Sequence, residues 1–373
     1  MKTFGLDQNS FLVLQLTACH LLLRLYTASP LVLIVHFILH LTLTLLMKYA
    51  VDRRGAKSVF RQSVTRRLSR IAGYLAAAPI PSFLRPHCFR LYASTYGVNL
   101  AEMKNPDLYA YPSISAFFTR ELAPSARPVA APEDPRSLVS PADGTVLSFG
   151  EVQDNSMVRC VKGNSYPLDE FLLGYKCDKE AFTRLLAERR ADRRSKLLYA
   201  VVYLSPGDYH RFHSPAQFGA GFRRRIAGYL EPVKPAYLAG HKDVLKDNER
   251  VSLLGEWAHG FFGMSMVGAL NVGAIEVFKD KALKTNARNP TYFQDRFFGE
   301  KGASVAKPPF QDEAYYRRIL ESDAQGGLRY EKGEELGLFN FGSTIVLTFE
   351  CPEAFKLQLS VGQKVRVGQQ IGS

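Results

Sequence analysis

Three short polar clusters carry the side chains with which this sequence could do chemistry: SPADGTV at 140 to 146, SPGDYHRFHSP at 205 to 215 and FGST at 341 to 344. They supply Asp143, His210, His213 and Ser343. Brought together, these make a nucleophile, a base and an orienter: a histidine takes the hydroxyl proton, and the aspartate fixes the imidazole and stabilises its charge. Each cluster alone has a plainer explanation. Asp143 stands in a Pro and Gly turn, and Ser343 stands at the mouth of the strand-like run Ile345 to Phe349. His210 and His213 form an HxxH pair, but no third ligand stands at informative spacing, so no metal site is expected. Their joint occurrence is what points to catalysis.

The elements that must position these residues are mostly strands. From Val139 onward, short β-branched and aromatic runs (RCV at 159 to 161, LLYAVVYL at 197 to 204, RVSLLGEW at 250 to 257, GSTIVLTF at 342 to 349) alternate with Gly, Pro, Asp and Asn. The ending LSVGQKVRVGQQIG reads as tight hairpins. Helical spacing is confined to residues 58 to 75, 82 to 97 and 179 to 190. The fold class expected is α+β and β-rich: N-terminal transmembrane and amphipathic helices, then a β-barrel or sandwich-like catalytic domain with few helices. The divisions expected are 1–56 for an anchor or targeting segment, 57–138 for a helical membrane-proximal region and 139–373 for the catalytic domain.

Composition bounds the partners. The chain has 373 residues and 46% hydrophobic content, enough for a substantial core. Cys19, Cys88, Cys160, Cys177 and Cys351 are scattered without a CxxC pair, which argues against a disulfide framework or structural zinc. Residues 30 to 47, PLVLIVHFILHLTLTLLM, contain no Asp, Glu, Lys or Arg, so one transmembrane helix is expected from Leu31 to about Tyr49. The apolar run 11 to 29 could be the other half of a membrane hairpin or part of a targeting sequence.

About half of the +13 net charge lies between residues 48 and 70. There Phe60, Val64, Leu68, Ile71 and Leu75 recur at helical spacing, with Arg61, Arg66, Arg67 and Arg70 largely elsewhere around the helix. Such a helix would meet lipid phosphates with its arginines and dip its apolar side chains into the headgroup layer, or else be a domain helix with a solvated face. No nucleic-acid motif accompanies the charge, so nucleic acid is not expected as a partner. The second basic run, Arg223-Arg224-Arg225, reads as a solvated strand or loop face.

SPADGTV, YHRFHSP and FGSTIV together resemble the signature motifs of phosphatidylserine decarboxylase proenzymes. SISAFFTREL (113 to 122), NERV (248 to 251), VGALNVGAIEV (267 to 277) and KGEELGLFNFGST (332 to 344) follow in that family's order, and the resemblance covers residues 58 to 373. Phe341 stands where many members have Leu. The resemblance implies that Ser343 attacks the carbonyl of Gly342 and cuts the chain into residues 1–342 and 343–373, which stay associated. It implies a covalent pyruvoyl group made from Ser343, and no external cofactor. His213 would be the base, Asp143 its orienter, and His210 would serve the later decarboxylation. Gly342 would be needed because a Cβ would obstruct the attack and because the bond must be distorted. Phe117, Phe118 and Phe212 are candidate apolar walls for substrate, or ordinary core.

The substrate implied is phosphatidylserine in a phospholipid membrane. Two alternatives remain: a pyruvoyl decarboxylase of a free amino acid, and a serine hydrolase of lipid esters, for which GMSMVG around Ser265 misses a GxSxG elbow by one position. The anchored family members point to the mitochondrial inner membrane, with endoplasmic reticulum as the alternative; a homodimer is left open.

Overall fold

A run of β-branched and aromatic residues buried on both faces has one stable home, the middle of a sheet covered on both sides. STIVLTFECP is such a run. A computed structural model describes residues 59–152, 157–159, 165–174, 179–270, 274–287, 290–299, 304–305, 313–321, 327–340 and 342–373. The expected membrane span and the run 11 to 29 lie outside these residues, as do the side chains of Phe60, Arg61 and Val64. Among the described residues no helix is long and apolar enough to cross a membrane.

Helices come first: α1 (Val59–Ala77), α2 (Arg85–Tyr96) and the single turn α3 (Ile114–Phe118). The strands follow as β1 (Leu138–Val139), β2 (Gly144–Glu151), β3 (Met157–Arg159) and β4 (Ser165–Pro167), then helices α4 (Leu168–Leu173) and α5 (Lys179–Arg193). Next are β5 (Ser195–Leu204), β6 (Arg211–His213) and β7 (Phe218–Ile226), the short helices α6 (Pro235–Leu238) and α7 (Val244–Asp247), and β8 (Arg250–Trp257), β9 (Gly260–Val267), β10 (Ile275–Val277), β11 (Phe293–Phe297) and β12 (Ser304–Val305). Helix α8 (Glu313–Leu320) precedes β13 (Leu328–Tyr330), β14 (Glu335–Phe339), β15 (Ser343–Pro352), β16 (Lys364–Val365) and β17 (Gln370–Gly372). The β-rich α+β class expected from sequence is what the chain adopts.

The main sheet has ten antiparallel strands in the order β12-β11-β7-β8-β9-β15-β5-β2-β16, with β13 also on β7. Strand β15 lies inside it, paired with β5 from Ser343↔Leu204 to Pro352↔Ser195 and with β9 from Thr344↔Val267 to Phe349↔Phe262. Ile345, Leu347 and Phe349 enter one core with Val202, Met264 and Leu253, while Val346 enters the other with Tyr199, Phe261 and residues of the helices. A smaller sheet, β10-β14-β6, brings β14 beside the histidine cluster. The C-terminal segment does not form the expected hairpins: β16 pairs with β2 and β17 with β1, so each tight turn redirects the chain to a different partner.

Two expectations about arginines are overturned. Arg223, Arg224 and Arg225 are buried, because β7 is an interior strand covered on both faces. Each has a carboxylate: Arg223 Nε lies 2.9 Å from Asp280, Arg224 Nη2 lies 2.6 Å from Asp295, and Arg225 Nη1 lies 3.7 Å from Glu249. Arg66 likewise does not face lipid. It is buried, 3.4 Å from Glu249, and donates to the carbonyls of Gly228 and Ala287. Helix α1 docks on the domain through that charge and through Leu68, whereas Ile71, Tyr74 and Leu75 are exposed. The apolar stripe is therefore split, and of the named arginines with described side chains Arg67 is exposed and Arg70 reaches Asn286.

Removing one partner of a buried ion pair leaves the other charge uncompensated. Asp295→Ala should lower unfolding free energy by about 3–5 kcal/mol, whereas Arg67→Gln should change it by less than about 0.5 kcal/mol. Urea unfolding followed through Trp257, the sole tryptophan, measures both.

Candidate active site

Strand β14 ends at Phe339, and the chain passes Asn340 and Gly342 before β15 begins at Ser343. Strand β6 pairs with β14 through His213↔Glu335 and Arg211↔Leu338, and the Phe339 amide donates to the His210 carbonyl at 2.9 Å. Both histidines therefore run beside the strand that delivers the serine. The Asp143 loop lies against them: the His213 amide donates to the Pro141 carbonyl at 2.8 Å. Gly144 follows because a Cβ there would stand 2.4 Å from the Tyr203 carbonyl oxygen, too close for β2 to pair with β5.

Ser343 is fully buried, and its Oγ has no hydrogen-bond partner among the described residues. An orphaned hydroxyl in a sheet interior is costly and calls for an explanation; Thr344 and Thr348 of the same strand share that state, so what sets Ser343 apart is its place directly after Gly342, beside the strand that pairs with the histidines. Gly342 is uncrowded at rest. A Cβ on it would meet nothing within 4 Å, and its φ lies outside the left-handed region. The resting geometry does not require glycine there, so any need for it arises during attack.

Asp143 is anchored differently from a triad aspartate. Arg127 Nε donates to its oxygens at 2.8 and 3.0 Å, Arg127 Nη2 donates to it as well, and the Val367 amide donates at 2.8 Å. Arg127 also reaches Glu102 at 2.8 Å. Burial works against the Arg127 charge, but the hydrogen bonds to Asp143 and Glu102 outweigh it and raise its pKa. No hydrogen bond joins Asp143 to His213, so the expected orienting contact is not made in this geometry; Asp143 acts on His213 through its charge.

The Gly333 carbonyl does the orienting instead. It accepts from His213 Nδ1 at 2.9 Å, which fixes the proton on Nδ1 and leaves Nε2 basic; Nε2 accepts from the Tyr209 hydroxyl at 3.2 Å. Burial lowers the His213 pKa, opposed by the Gly333 bond and by the charges of Glu335 and Asp143. His210 is wholly buried. Its Nδ1 donates to the Asp208 carbonyl at 2.8 Å, its Nε2 has no partner among the described residues, and its ring lies 3.9 Å from that of Phe118. Burial pushes its pKa down to about 3, with the Arg120 charge adding to the fall against the Asp208 bond.

The three phenylalanines divide. Phe118 contacts His210, whereas Phe117 stacks on Phe89 at 4.5 Å and Phe212 packs on Phe339 at 4.8 Å, both as core. Sequence reasoning did not single out Arg127, Arg120, Tyr209 or Gly333. Arg120, Tyr209 and Gly333 stood inside quoted motifs, SISAFFTREL, YHRFHSP and KGEELGLFNFGST, but no spacing rule ties Arg127 to Asp143 or Gly333 to His213. Among the described residues no group of His, Cys, Asp and Glu could hold a metal ion.

The sequence model described as Phosphatidylserine decarboxylase matches residues 114–373. The chain belongs to that family. It is 39% identical over 326 residues to the mitochondrial phosphatidylserine decarboxylase proenzyme of Rattus norvegicus, covering 85% of this chain and 74% of that one. Against the Caenorhabditis elegans mitochondrial proenzyme the identity is 38% over 304 residues, with 81% and 70% covered. Against the mitochondrial proenzyme 1 of Saccharomyces cerevisiae it is 32% over 375 residues, with 82% and 71% covered. Membership sets aside the serine-hydrolase alternative.

In this decarboxylase the buried histidine has a consequence for stability. His210 has an ordinary value of 6.5 when unfolded and about 3 when folded, so between those pH values the unfolded chain binds the extra proton. Stability is intact above about pH 6.5 and falls as pH drops toward 3, by at most about 1.4 kcal/mol per pH unit for this proton. In His210→Asn, the urea midpoint should fall less steeply with acid than in the wild type, by about one proton's worth of slope.

Proposed function

We propose that the chain cuts itself between Gly342 and Ser343 and then decarboxylates phosphatidylserine to phosphatidylethanolamine and CO2. The single observation that supports the self-cleavage is the position of Ser343: directly after Gly342, at the head of a strand held on both sides, with its hydroxyl buried and without a partner among the described residues. Its Oγ attacks the Gly342 carbonyl carbon and gives up its proton to a histidine; the Gly342 carbon to Ser343 nitrogen bond breaks, leaving an ester and a free amine. Loss of the Ser343 Cα proton then expels Gly342 as a carboxylate, and water replaces ammonia to leave a pyruvoyl group on residue 343. When present, that group supplies an electron-withdrawing carbonyl for the electron pair that CO2 leaves behind.

The division of labour proposed is that His213 takes the serine proton, with the Gly333 carbonyl setting its tautomer and Asp143 stabilising its charge. Tyr209 occupies the basic nitrogen of His213, so the hydroxyl must relay the proton or move aside. A second reading is favoured by one observation: the Nε2 of His210 is buried and without a hydrogen-bond partner among the described residues, as is Ser343 Oγ. In that reading His210 is the base for cleavage.

The relatives' names place them in mitochondria, and we assign this chain to the mitochondrial inner membrane, with residues 1–56 as anchor, 57–138 as the membrane-proximal part and 139–373 as the catalytic part. The exposed Ile71, Tyr74 and Leu75 of α1 support a lipid-facing side. The substrate is then a lipid rather than a free amino acid.

Ser343→Ala should remain one polypeptide by denaturing mass measurement, while the wild type yields chains ending at Gly342 and beginning at residue 343. An active but uncut wild type would contradict the mechanism. His213→Ala should block cleavage, and His210→Ala should be cut yet release no CO2; the reverse pattern on gels and in CO2 assays would establish the second reading.

A further inference from the structure

Beside the histidines lies a buried cation without a counter-ion among the described residues. Arg120, two residues after α3, is 4% exposed. Its Nη2 donates to the Gly207 carbonyl at 3.1 Å, but Nε and Nη1 have no hydrogen-bond partner among the described residues. Its guanidinium lies 5.6 Å from the centroid of the Phe117 ring, and its charge is felt at His210. Gly207 is itself pinned, since a Cβ there would stand 2.0 Å from the Tyr96 carbonyl oxygen at the end of α2. The guanidinium is therefore held in place rather than left to find water.

The neighbouring acids are already committed. Asp143 accepts two Arg127 nitrogens and the Val367 amide, and Asp208 accepts the Ser205 amide at 2.7 Å and the Ser205 hydroxyl at 2.6 Å. Both act on Arg120 only through space, and burial still pulls its pKa below the ordinary arginine value. A buried guanidinium with two idle donors is a poor structural device, because desolvation is not repaid by pairing. It becomes favourable when an anion arrives. Arg suits planar oxyanions of phosphate or carboxylate.

We propose, resting on the decarboxylase reading above, that Arg120 binds the phosphodiester of the phosphatidylserine headgroup. Phosphatidylserine carries two anions, and their fates differ. The carboxylate loses its charge in the transition state, so an arginine on it would stabilise the ground state preferentially and slow the reaction. The phosphodiester stays charged from substrate to product. A cation on it contributes uniform binding and orients the headgroup so that its serine end points along the β6 face toward His210 and residue 343. Arg120 is thus a substrate-positioning residue next to the catalytic cluster.

Arg120→Gln and Arg120→Lys are compared with the wild type, each first checked for cleavage by mass. With dioctanoyl phosphatidylserine in micelles, Arg120→Gln should raise KM about tenfold or more while kcat changes by less than about threefold, and Arg120→Lys should recover part of the KM. Two soluble competitors separate the anions. Inhibition by glycerophosphoethanolamine, which has the phosphodiester and amine but no carboxylate, should weaken in Arg120→Gln, whereas inhibition by free serine should not. Loss of serine inhibition alone would assign Arg120 to the carboxylate and overturn the proposal.

An equal KM in all three proteins would make Arg120 structural and overturn it too. If Arg120→Gln is not cleaved, the uncut Ser343→Ala protein serves: glycerophosphoethanolamine should raise its Tm, and should not raise that of Ser343→Ala carrying Arg120→Lys by as much. Equal shifts would contradict the assignment. Wild-type enzyme that releases no CO2 from phosphatidylserine would fail the decarboxylase reading instead.

Discussion

The pairing of β15 on both of its edges is the constraint on which the rest depends. Ser343 is the first residue of that strand, matched to Leu204 on β5, and Thr344 is matched to Val267 on β9. A strand embedded in this way has its backbone hydrogen bonds made by neighbours that belong to the longer, N-terminal piece. If the bond before Ser343 breaks, the segment 343 to 373 keeps those partners, along with the β16–β2 and β17–β1 pairs. The same embedding buries the serine hydroxyl and excludes the water that would otherwise satisfy it.

The C-terminal segment also shapes the charge of the site. The amide of Val367, delivered by the turn after β16, donates to Asp143, and Arg366 lies 3.5 Å from Glu102, which with Asp143 flanks Arg127. Ser343 and the backbone anchor of Asp143 are thus carried by one short stretch of chain. The buried nitrogen-bearing side chains fall into two kinds. Arg127, Arg223 and Arg224 each meet a carboxylate at close range and are stable where they lie. Arg120 and the two histidines are left with idle or basic nitrogens, and low local dielectric makes such groups responsive to whatever enters next.

How much was legible in the sequence follows from which signals are local. The strands and their β-rich context were readable, because β-branched runs between Gly and Pro turns declare themselves within ten residues. Asp143, His210, His213 and Ser343 were proposed as a set because each sits in a polar cluster that packing alone would not require, and the structure lays β6, β14 and the Asp143 loop side by side. What was missed is non-local. Burial of Arg223 to Arg225 depends on Asp280, Asp295 and Glu249 arriving from other strands and loops, and a basic run read by itself has no sign of them. Arg66 was misread for the same reason, since its partner Glu249 is far along the chain. The carbonyl of Gly333 orients His213 through backbone, and backbone acceptors leave no mark on residue type. The role expected for Gly342 concerns the attack on its carbonyl, and the open space around it at rest does not bear on that role.

Amide hydrogen exchange at residues 344 to 349 tests most directly whether the sheet, rather than the peptide bond before Ser343, holds the strand that begins at Ser343. It is compared between the mature wild-type protein and its uncut Ser343→Ala counterpart. The two-sided pairing predicts slow exchange of the same class in both, because the protecting hydrogen bonds come from β5 and β9 and survive the cut. Exchange that is slow in the uncut protein but becomes rapid after cleavage would contradict it, and would mean that covalent continuity with β14 keeps the strand in place.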